Sequence, residues 1–300
     1  MRVTGTPTVI HERPWARVAR IPTDDGATFV KTTMPALAHE MPVTALLARV
    51  APRAVTPVIA HDDAQRFLLM EDAGERLRSI IERDRDLRHW RGLLRRYAEV
   101  QLATTPRAAE LVAAGCPDMR AGALTRAFEE IIAGDALISV AGEYGDIREL
   151  LPRLRAIAPR AREWDLALGA IVPPTIQHDD LHDGQVFIRD GHVRFLDWGD
   201  AVVSPPFYSL VVIERSIAYT FDLAPGSPEL LRLRAEYLEP FTASAARARL
   251  EEAVAIALVL GRLVRALTWT RVMRALPPEQ REAEAVAGWF GVFLEAAETR

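Results

Sequence analysis

The spacing of apolar and polar residues changes along the chain near residue 74. Before that point, short runs rich in β-branched and aromatic residues alternate with turn residues, which is typical of strands. These runs predict three antiparallel strands at 8–11, 17–21 and 27–31, and two more strands at 55–60 and 67–70. The pattern between the third and fourth strands predicts a helix at about 38–50. The first part of the chain is therefore expected to be a small antiparallel sheet with one helix.

From residue 77 onward the apolar residues recur at helical spacing. Trp90, Leu94 and Tyr97 lie on one face of a predicted helix at about 86–104. The same spacing predicts helices at 122–140, 147–168, 209–219, 228–237 and 246–273, and one at the C-terminus. We therefore predict an α+β chain of two lobes, a small antiparallel β lobe at 1–72 and a larger helical lobe at 73–300.

One stretch of the helical lobe, residues 176–200, has the pattern of a loop followed by a hairpin. Pro173 and Pro174 keep the entering chain extended. Asp190-Gly191 stands between two short apolar runs, and Asp-Gly is a strong signal for a tight hairpin turn. Such a hairpin would return Asp197 to a position beside Gln185.

Asp180, Gln185 and Asp197 together are the side chains that a phosphoryl transfer requires. One carboxylate must orient the acceptor hydroxyl and take its proton, and oxygen ligands must hold Mg²⁺ against the nucleotide phosphates. A loop Asp, an amide and a second Asp after a hairpin supply these groups in the order that kinases use. The stretch therefore predicts a phosphotransferase.

Lys31 is the only lysine in a chain that has 37 basic residues, so the other 36 are arginines. It ends a short apolar strand, and a compact ammonium group on a flexible stem suits contact with nucleotide phosphates. Kinases pair this lysine with a glutamate on the next helix, and Glu40 is placed for that role. The alternative is a solvated lysine at a strand end, with Glu40 as a helix N-terminal acid.

The sequences HDDLHDGQ at 178–185 and FLDWGD at 195–200 resemble the aminoglycoside phosphotransferase and choline kinase family, whose loop usually reads H-G-D-x-x-x-x-N. The resemblance implies a protein-kinase-like fold, in which 1–72 would be the nucleotide-binding lobe and 73–300 the catalytic and acceptor-binding lobe. Matched by position, it makes Asp180 the catalytic base, His178 the histidine that braces the loop, and Asp197 the main metal ligand. Gln185 stands where the family usually has Asn, and Asp179 where it usually has Gly. The Gln185 carbonyl can ligate Mg²⁺ but lies one methylene further out.

The resemblance also implies ATP, or another nucleoside triphosphate, and Mg²⁺ as cofactors. The acceptor would be a hydroxylated small molecule such as an aminoglycoside or other antibiotic, a choline-like alcohol or a sugar, with antibiotic resistance as one biological role. The first turn, at 12–15, lacks G-x-G-x-x-G, as it often does in this family. The adenine edge would bind the backbone of three hinge residues, Met70, Glu71 and Asp72. The second-rank residues for substrate contact or support are His182, Asp183 and Asp200.

Composition agrees with this interpretation. A chain of 300 residues that is 49% hydrophobic can bury a large core. Its net charge of −4 does not favour nucleic acid or anionic lipid as a partner. Cys116, the single cysteine, excludes a disulfide framework, and the chain begins without a signal-peptide pattern. The longest apolar run, 253–260, is too short to cross a bilayer. We therefore expect a cytoplasmic protein without a membrane or nucleic-acid partner.

Two other functions are compatible with parts of the sequence. A nucleotide-binding pseudokinase would explain Gln185 and the glycine-poor first turn. A metal-dependent phosphohydrolase of the His-Asp type would use the His-Asp pairs of the loop and His61-Asp62. That class places its ligands on helices, whereas here prolines and a hairpin bound the loop.

Overall fold

The computed structural model describes residues 1–142 and 147–300. Its N-terminal part is a five-stranded antiparallel sheet with the order β1-β2-β3-β5-β4. A helix, α1, connects the third strand to the fourth. The bounds are β1 Thr8–Arg13, β2 Ala16–Thr23, β3 Gly26–Thr33, α1 Glu40–Val50, β4 Val58–Asp62 and β5 Phe67–Glu71.

Strand β3 is central in this sheet, because β2 pairs with it on one side and β5 on the other. Lys31 lies opposite Val18 of β2 and Leu68 of β5. Its side chain is buried, and its partner Glu40 is the first residue of α1. The pairing of β3 with β2 and β5 therefore sets the position along the strand at which Lys31 meets α1.

The rest of the chain is mostly helical, with two small sheets. Strands β6, β8 and β9 form one sheet, and β7 pairs with β10 in the other. The helices are α2 Leu77–Asp84, α3 His89–Thr104, α4 Ala108–Ala113, α5 Ala123–Ala133, α6 Ala136–Ala141, α7 Ile147–Ile171, α8 Leu210–Phe221, α9 Pro228–Leu238, α10 Arg247–Arg274 and α11 Ala283–Glu298. The strands are β6 Glu75–Arg76, β7 Thr175–Gln177, β8 Val186–Arg189, β9 His192–Phe195 and β10 Val202–Ser204. The predicted α+β fold class is confirmed.

Several predicted elements differ from the structure in their bounds, and three of the differences have a visible structural cause. The helix predicted at 122–140 is two helices, because Gly134 adopts an extended conformation between α5 and α6. The helix predicted from 86 begins at 89, and a left-handed Arg85 ends α2 before it. The strand predicted from 55 begins at 58, because Val55 leaves the sheet and bridges Phe195.

Helix α10 runs through the centre of the helical part and packs against α7 and α11. By length and composition it could cross a membrane, and 78% of its most apolar window is buried inside the protein. Among its buried residues is one with a permanent charge, Arg265. The interior of the helical part therefore contains a permanently charged guanidinium group, and a buried charge needs partners of opposite charge.

Candidate active site

His178 begins the loop that follows β7 and ties it to two other elements. Its backbone N–H donates to the Tyr97 hydroxyl at 2.9 Å, and its Nε2 donates to the Leu196 carbonyl at 2.7 Å. The ring lies 4.8 Å from that of Trp198. Burial lowers the pKa of His178 to about 4, so the imidazole is neutral at physiological pH. The side chain thus braces the loop against the segment that carries Asp197.

Lys31 joins the sheet, helix α1 and the segment after β9. Its Nζ lies 2.7 Å from Glu40 Oε1 and 2.5 Å from Asp197 Oδ1. Lys31 is only 6% exposed, so it is not a solvated strand-end lysine, whereas the Asp197 side chain is 45% exposed. The predicted Lys31–Glu40 pair is thus present in the structure.

The charges in this group depend on burial and on the lysine. Burial lowers the pKa of Lys31, but Asp197 and Glu40 outweigh it and hold this pKa above its ordinary value. Burial raises the pKa of Asp197, yet attraction by Lys31 brings it down to about 2. For Glu40 burial prevails over Lys31 and raises the pKa to about 7. A buried, cationic lysine therefore lies against an ionised Asp197 that is half-exposed.

Gln185 lies beside Asp197, as the predicted hairpin requires. Its Nε2 donates to Asp197 Oδ2 at 3.0 Å, and its backbone N–H donates to the His182 carbonyl at 3.0 Å. A half-exposed, ionised carboxylate and an amide oxygen are ligands that Mg²⁺ accepts, so the donor set fits this metal. Because nitrogen now faces Asp197, Gln185 would have to turn its amide over to present oxygen.

Asp180 follows His178 on the same loop. Its Oδ1 accepts from Arg265 Nη2 at 3.0 Å, and its Oδ2 lies 3.7 Å from His182 Nε2. Burial raises the pKa of Asp180, and Arg265 opposes that rise without cancelling it. A carboxylate with a raised pKa is better matched to taking a proton near neutral pH. Asp197 adds to the raised pKa of Asp180, which places the two carboxylates within electrostatic range.

Arg265 is a site residue that the sequence analysis missed. Its Nη1 donates to Asp200 Oδ2 at 2.7 Å and lies 3.5 Å from Asp179 Oδ2, while its Nη2 donates to Asp180. Arg265 lies 86 and 85 residues from Asp179 and Asp180 in the sequence, so no local motif connects them. Because the chain has 36 arginines, the residue type alone does not mark Arg265 as a site residue. Asp200, which the motif left without a defined role, is thus a partner of Arg265.

Asp179 stands where the usual motif has glycine, and its backbone adopts a conformation that suits glycine. Its φ is 62°, in the left-handed region that glycine adopts most readily. The side chain is buried and accepts from Thr268 Oγ1 at 3.0 Å. Burial raises the pKa of Asp179 to about 7, against attraction by Arg265. The substitution therefore adds a buried carboxyl group directly behind the predicted base.

The other second-rank residues support the loop. Asp183 is buried and accepts from Arg78 Nε and Nη2 at 2.9 and 2.7 Å. His182 Nδ1 accepts the Gly184 N–H at 2.9 Å. Burial raises the pKa of Asp183, but His182 and Arg78 lower it below its ordinary value. Arg78, on α2, is a second residue that the sequence analysis missed.

The three predicted hinge residues lie where β5 ends. Met70 is buried in the strand, and the Glu71 N–H donates to the Pro57 carbonyl at 3.1 Å. The Asp72 carbonyl accepts from Arg189 and Arg194 at 2.6 and 3.1 Å. These two backbone groups are thus already paired within the chain. The prediction that this segment binds adenine remains a prediction.

Comparison with known proteins gives a family and a fold. A family model described as the phosphotransferase enzyme family matches residues 17–252, and no curated protein sequence matches the chain. The structure is similar to a choline kinase from Cryptosporidium parvum, with a TM-score of 0.66 and 12% identity, over 98% of this chain and 89% of that one.

Two further solved structures are similar over most of their length. A variant of aminoglycoside 2′-phosphotransferase-IIIa in complex with GDP has a TM-score of 0.57 and 12% identity, over 98% of this chain and 92% of that one. An amicoumacin kinase with AMP-PNP and Ca²⁺ has a TM-score of 0.58 and 13% identity, over 96% and 88%. Likeness at such identity shows the fold alone, and it confirms the predicted protein-kinase-like fold.

Proposed function

Because this chain belongs to the phosphotransferase enzyme family, we propose that it is a small-molecule kinase that transfers the γ-phosphoryl group of a nucleoside triphosphate to a hydroxyl group. The observation that carries the proposal is the position of Lys31 between Glu40 and Asp197. A buried lysine paired with a glutamate of the next helix, beside a carboxylate that could take a metal ion, is the arrangement that kinases use to receive nucleotide phosphates.

Each side chain has a role that follows from its contacts. Lys31 would bind the phosphates, and Glu40 would fix the direction of its ammonium group. Asp197 and Gln185 would hold Mg²⁺, which neutralises charge on the phosphates when it is bound. Asp180 would orient the acceptor hydroxyl with the Oδ2 atom that Arg265 leaves free, and would take its proton.

ATP is the first nucleotide to test, and GTP is the second. The similar amicoumacin kinase was solved with AMP-PNP and Ca²⁺, and the similar aminoglycoside phosphotransferase with GDP. Both facts concern those proteins, so we infer for this chain only a purine nucleotide with a divalent metal.

The acceptor is proposed to be a hydroxylated small molecule. The similar structures include kinases of choline, of an aminoglycoside and of amicoumacin, which are all small molecules with a hydroxyl group. If the acceptor is an antibiotic, the enzyme would confer resistance by modifying it. A panel of amino alcohols, aminoglycosides, macrolides and sugars covers this range.

The proposal is tested by Mg²⁺-dependent ADP or GDP release across that panel, together with binding of AMP-PNP by calorimetry. We expect acceptor-dependent turnover that Asp180→Asn abolishes while AMP-PNP affinity is retained, because the base contacts the acceptor and not the nucleotide. The control is Asp190→Asn, on the exposed hairpin turn, which should be as active as the parent.

Other outcomes separate the two alternatives. Binding of Mg·AMP-PNP without turnover on any acceptor would favour a pseudokinase. Metal-dependent release of inorganic phosphate without an acceptor would favour a His-Asp phosphohydrolase. The structure does not favour the latter, because in residues 1–142 and 147–300 no group of three or more His, Cys, Asp or Glu side chains could hold a metal ion.

A further inference from the structure

Arg265 is enclosed by three carboxylates and two indole rings. It is 4% exposed, and Asp179, Asp180 and Asp200 all approach its guanidinium group within 3.5 Å. The guanidinium carbon lies 5.9 Å from the ring centre of Trp269 and 5.7 Å from that of Trp289. These distances suit cation–π attraction, which strengthens when the cation is removed from water.

The two terminal nitrogens of Arg265 contact different carboxylates. Nη1 lies toward Asp200 and Asp179, and Nη2 donates to a single oxygen of Asp180. Because a guanidinium group is planar, fixing Nη1 on Asp200 fixes the direction from which Nη2 reaches Asp180. The two indoles restrict the tilt of the same plane. An ammonium group, a point charge with no plane, could not reproduce this arrangement.

We propose that Arg265 is the positioning residue of the reacting carboxylate: it holds Oδ1 of Asp180 so that Oδ2 alone is presented to the acceptor hydroxyl. This inference rests on the proposed kinase function. Asp200 and Asp179 anchor the guanidinium group. Trp269 and Trp289 enclose it. Arg265 itself contacts neither the acceptor nor the nucleotide.

The charges around Asp180 predict how its pKa should change when Arg265 or Asp200 is replaced. Arg265 is the nearby group that favours its ionised form most, and His182 favours it less. Asp200 and Asp197 act in the opposite sense. Asp179 is a further buried carboxyl on the same loop, in contact with Arg265. Removing Arg265 should therefore raise the pKa of Asp180, whereas neutralising Asp200 should lower it.

The experiment compares Arg265→Lys, Arg265→Met and Asp200→Asn with the parent enzyme on the best acceptor from the panel. We expect Arg265→Lys to lower kcat by about 100-fold, which is the effect of misplacing a reacting group by about 1 Å. The affinity for AMP-PNP should be unchanged. The acidic limb of the kcat–pH profile should move to higher pH in Arg265→Met and to lower pH in Asp200→Asn.

A matched control lies one turn earlier on the same helix. Arg262 is half-buried and donates to the Leu258 carbonyl, and Arg262→Lys should keep both kcat and the pH profile. Guanidinium ion, added below denaturing concentrations, should restore part of the activity of Arg265→Ala. Circular dichroism and thermal unfolding identify any variant that does not fold, and Asp200→Asn then carries the test.

Three results would overturn the inference. Arg265→Lys could turn over like the parent enzyme, or the pH profile could stay fixed in both Arg265→Met and Asp200→Asn. Alternatively, Arg265→Lys could lose AMP-PNP affinity in proportion to kcat, which would indicate a structural role only. Absence of turnover in the parent enzyme itself would instead reject the proposed function, and the inference with it.

Discussion

Two carboxylates leave little room around the ammonium group of Lys31. Glu40 Oε1 and Asp197 Oδ1 lie at 2.7 and 2.5 Å, and the side chain is buried between the sheet and α1. A guanidinium group is wider and needs its partners in one plane. The chain uses arginine for every other basic residue, so lysine at this position is a geometric requirement of the site.

The substitution Lys31→Arg tests that requirement. We expect kcat/KM for ATP to fall by about 100-fold, because the phosphates would be held in the wrong place. The free energy of unfolding should fall by only about 1–3 kcal/mol, the usual effect of overpacking a buried position. Initial rates at varied ATP and urea unfolding measure the two quantities. Unchanged turnover would contradict the role of Lys31, and Arg20→Lys, on β2, is the matched control.

Substitutions of Gln185 distinguish the proposed active kinase from the pseudokinase alternative. If its oxygen ligates Mg²⁺, Gln185→Asn should change activity little, and Gln185→Ala should raise the Mg²⁺ concentration needed for half-maximal activity. In a pseudokinase, Gln185→Asn should instead create activity by supplying the family's usual ligand. Mg²⁺ titrations of the parent and both variants measure this. Gln65→Ala, on the exposed turn after β4, is the control.

Some site residues could be predicted because the chain presents them in a fixed order near a hairpin. Asp180, Gln185 and Asp197 lie within 18 residues of one another, and Lys31 is unique in the sequence. Arg265 and Arg78 reach the same loop from 85 and 105 residues away. Such contacts depend on how the helices pack, which no local pattern of residues encodes.

At the scale of elements, backbone conformation explains which turns were predictable. Asp190 and Gly191 have φ values of 52° and 73°, as a two-residue hairpin turn requires. Asp-Gly is also a residue pair that predicts such a turn from sequence. The break at Gly134 and the left-handed Arg85 lie inside sequences whose apolar spacing is helical. Glycine often ends a helix, so the end at Gly134 had a local signal that the apolar spacing masked, whereas the residue type of Arg85 gives no sign of its left-handed conformation.

Gly74, after β5, and Gly191 give a paired test of backbone strain. Both have positive φ, but a Cβ on Gly74 would lie 2.3 Å from the Ile188 carbonyl oxygen, whereas one on Gly191 would meet nothing within 4 Å. Gly191→Ala should lower the free energy of unfolding by about 1–2 kcal/mol, the conformational term alone. Gly74→Ala should lower it by about 1–3 kcal/mol more, because the backbone must move. Equal losses in urea unfolding would contradict the clash.

At the scale of the whole molecule, an ion pair and an aromatic contact join the N-terminal sheet to later parts of the chain. Lys31 pairs with Asp197, and Trp15, in the turn between β1 and β2, packs edge-on against Trp269 of α10 with the ring centres 6.1 Å apart. Trp269 in turn encloses Arg265. The first turn of the sheet is therefore in contact with one of the two indoles that enclose Arg265.

His39, just before α1, gives a pH dependence of overall stability. Burial lowers the pKa of His39 to about 3, with Arg271 acting in the same direction, so the unfolded chain binds the proton more readily. Its contribution to stability is therefore full above about pH 6.5 and is lost as the pH falls toward 3. Urea unfolding should show that His39→Asn loses less stability than the parent between pH 7 and 4.

The control for this measurement is His192→Asn, at the exposed start of β9. Its unfolding free energy should follow that of the parent at each pH. A constant difference between His39→Asn and the parent across the same range would show that His39 is not a neutral buried group.

A chain with one lysine has one ε-amino group that acylating reagents can modify. In the resting enzyme that amine is protonated and enclosed by two carboxylates, so it should resist acylation while the N-terminal amine reacts. If the sheet separated from the segment carrying Asp197, the same amine would become a nucleophile, and mass spectrometry would find the acylated residue at position 31 alone. The single lysine would thus report such a separation in the unmodified protein, without a label or a mutation.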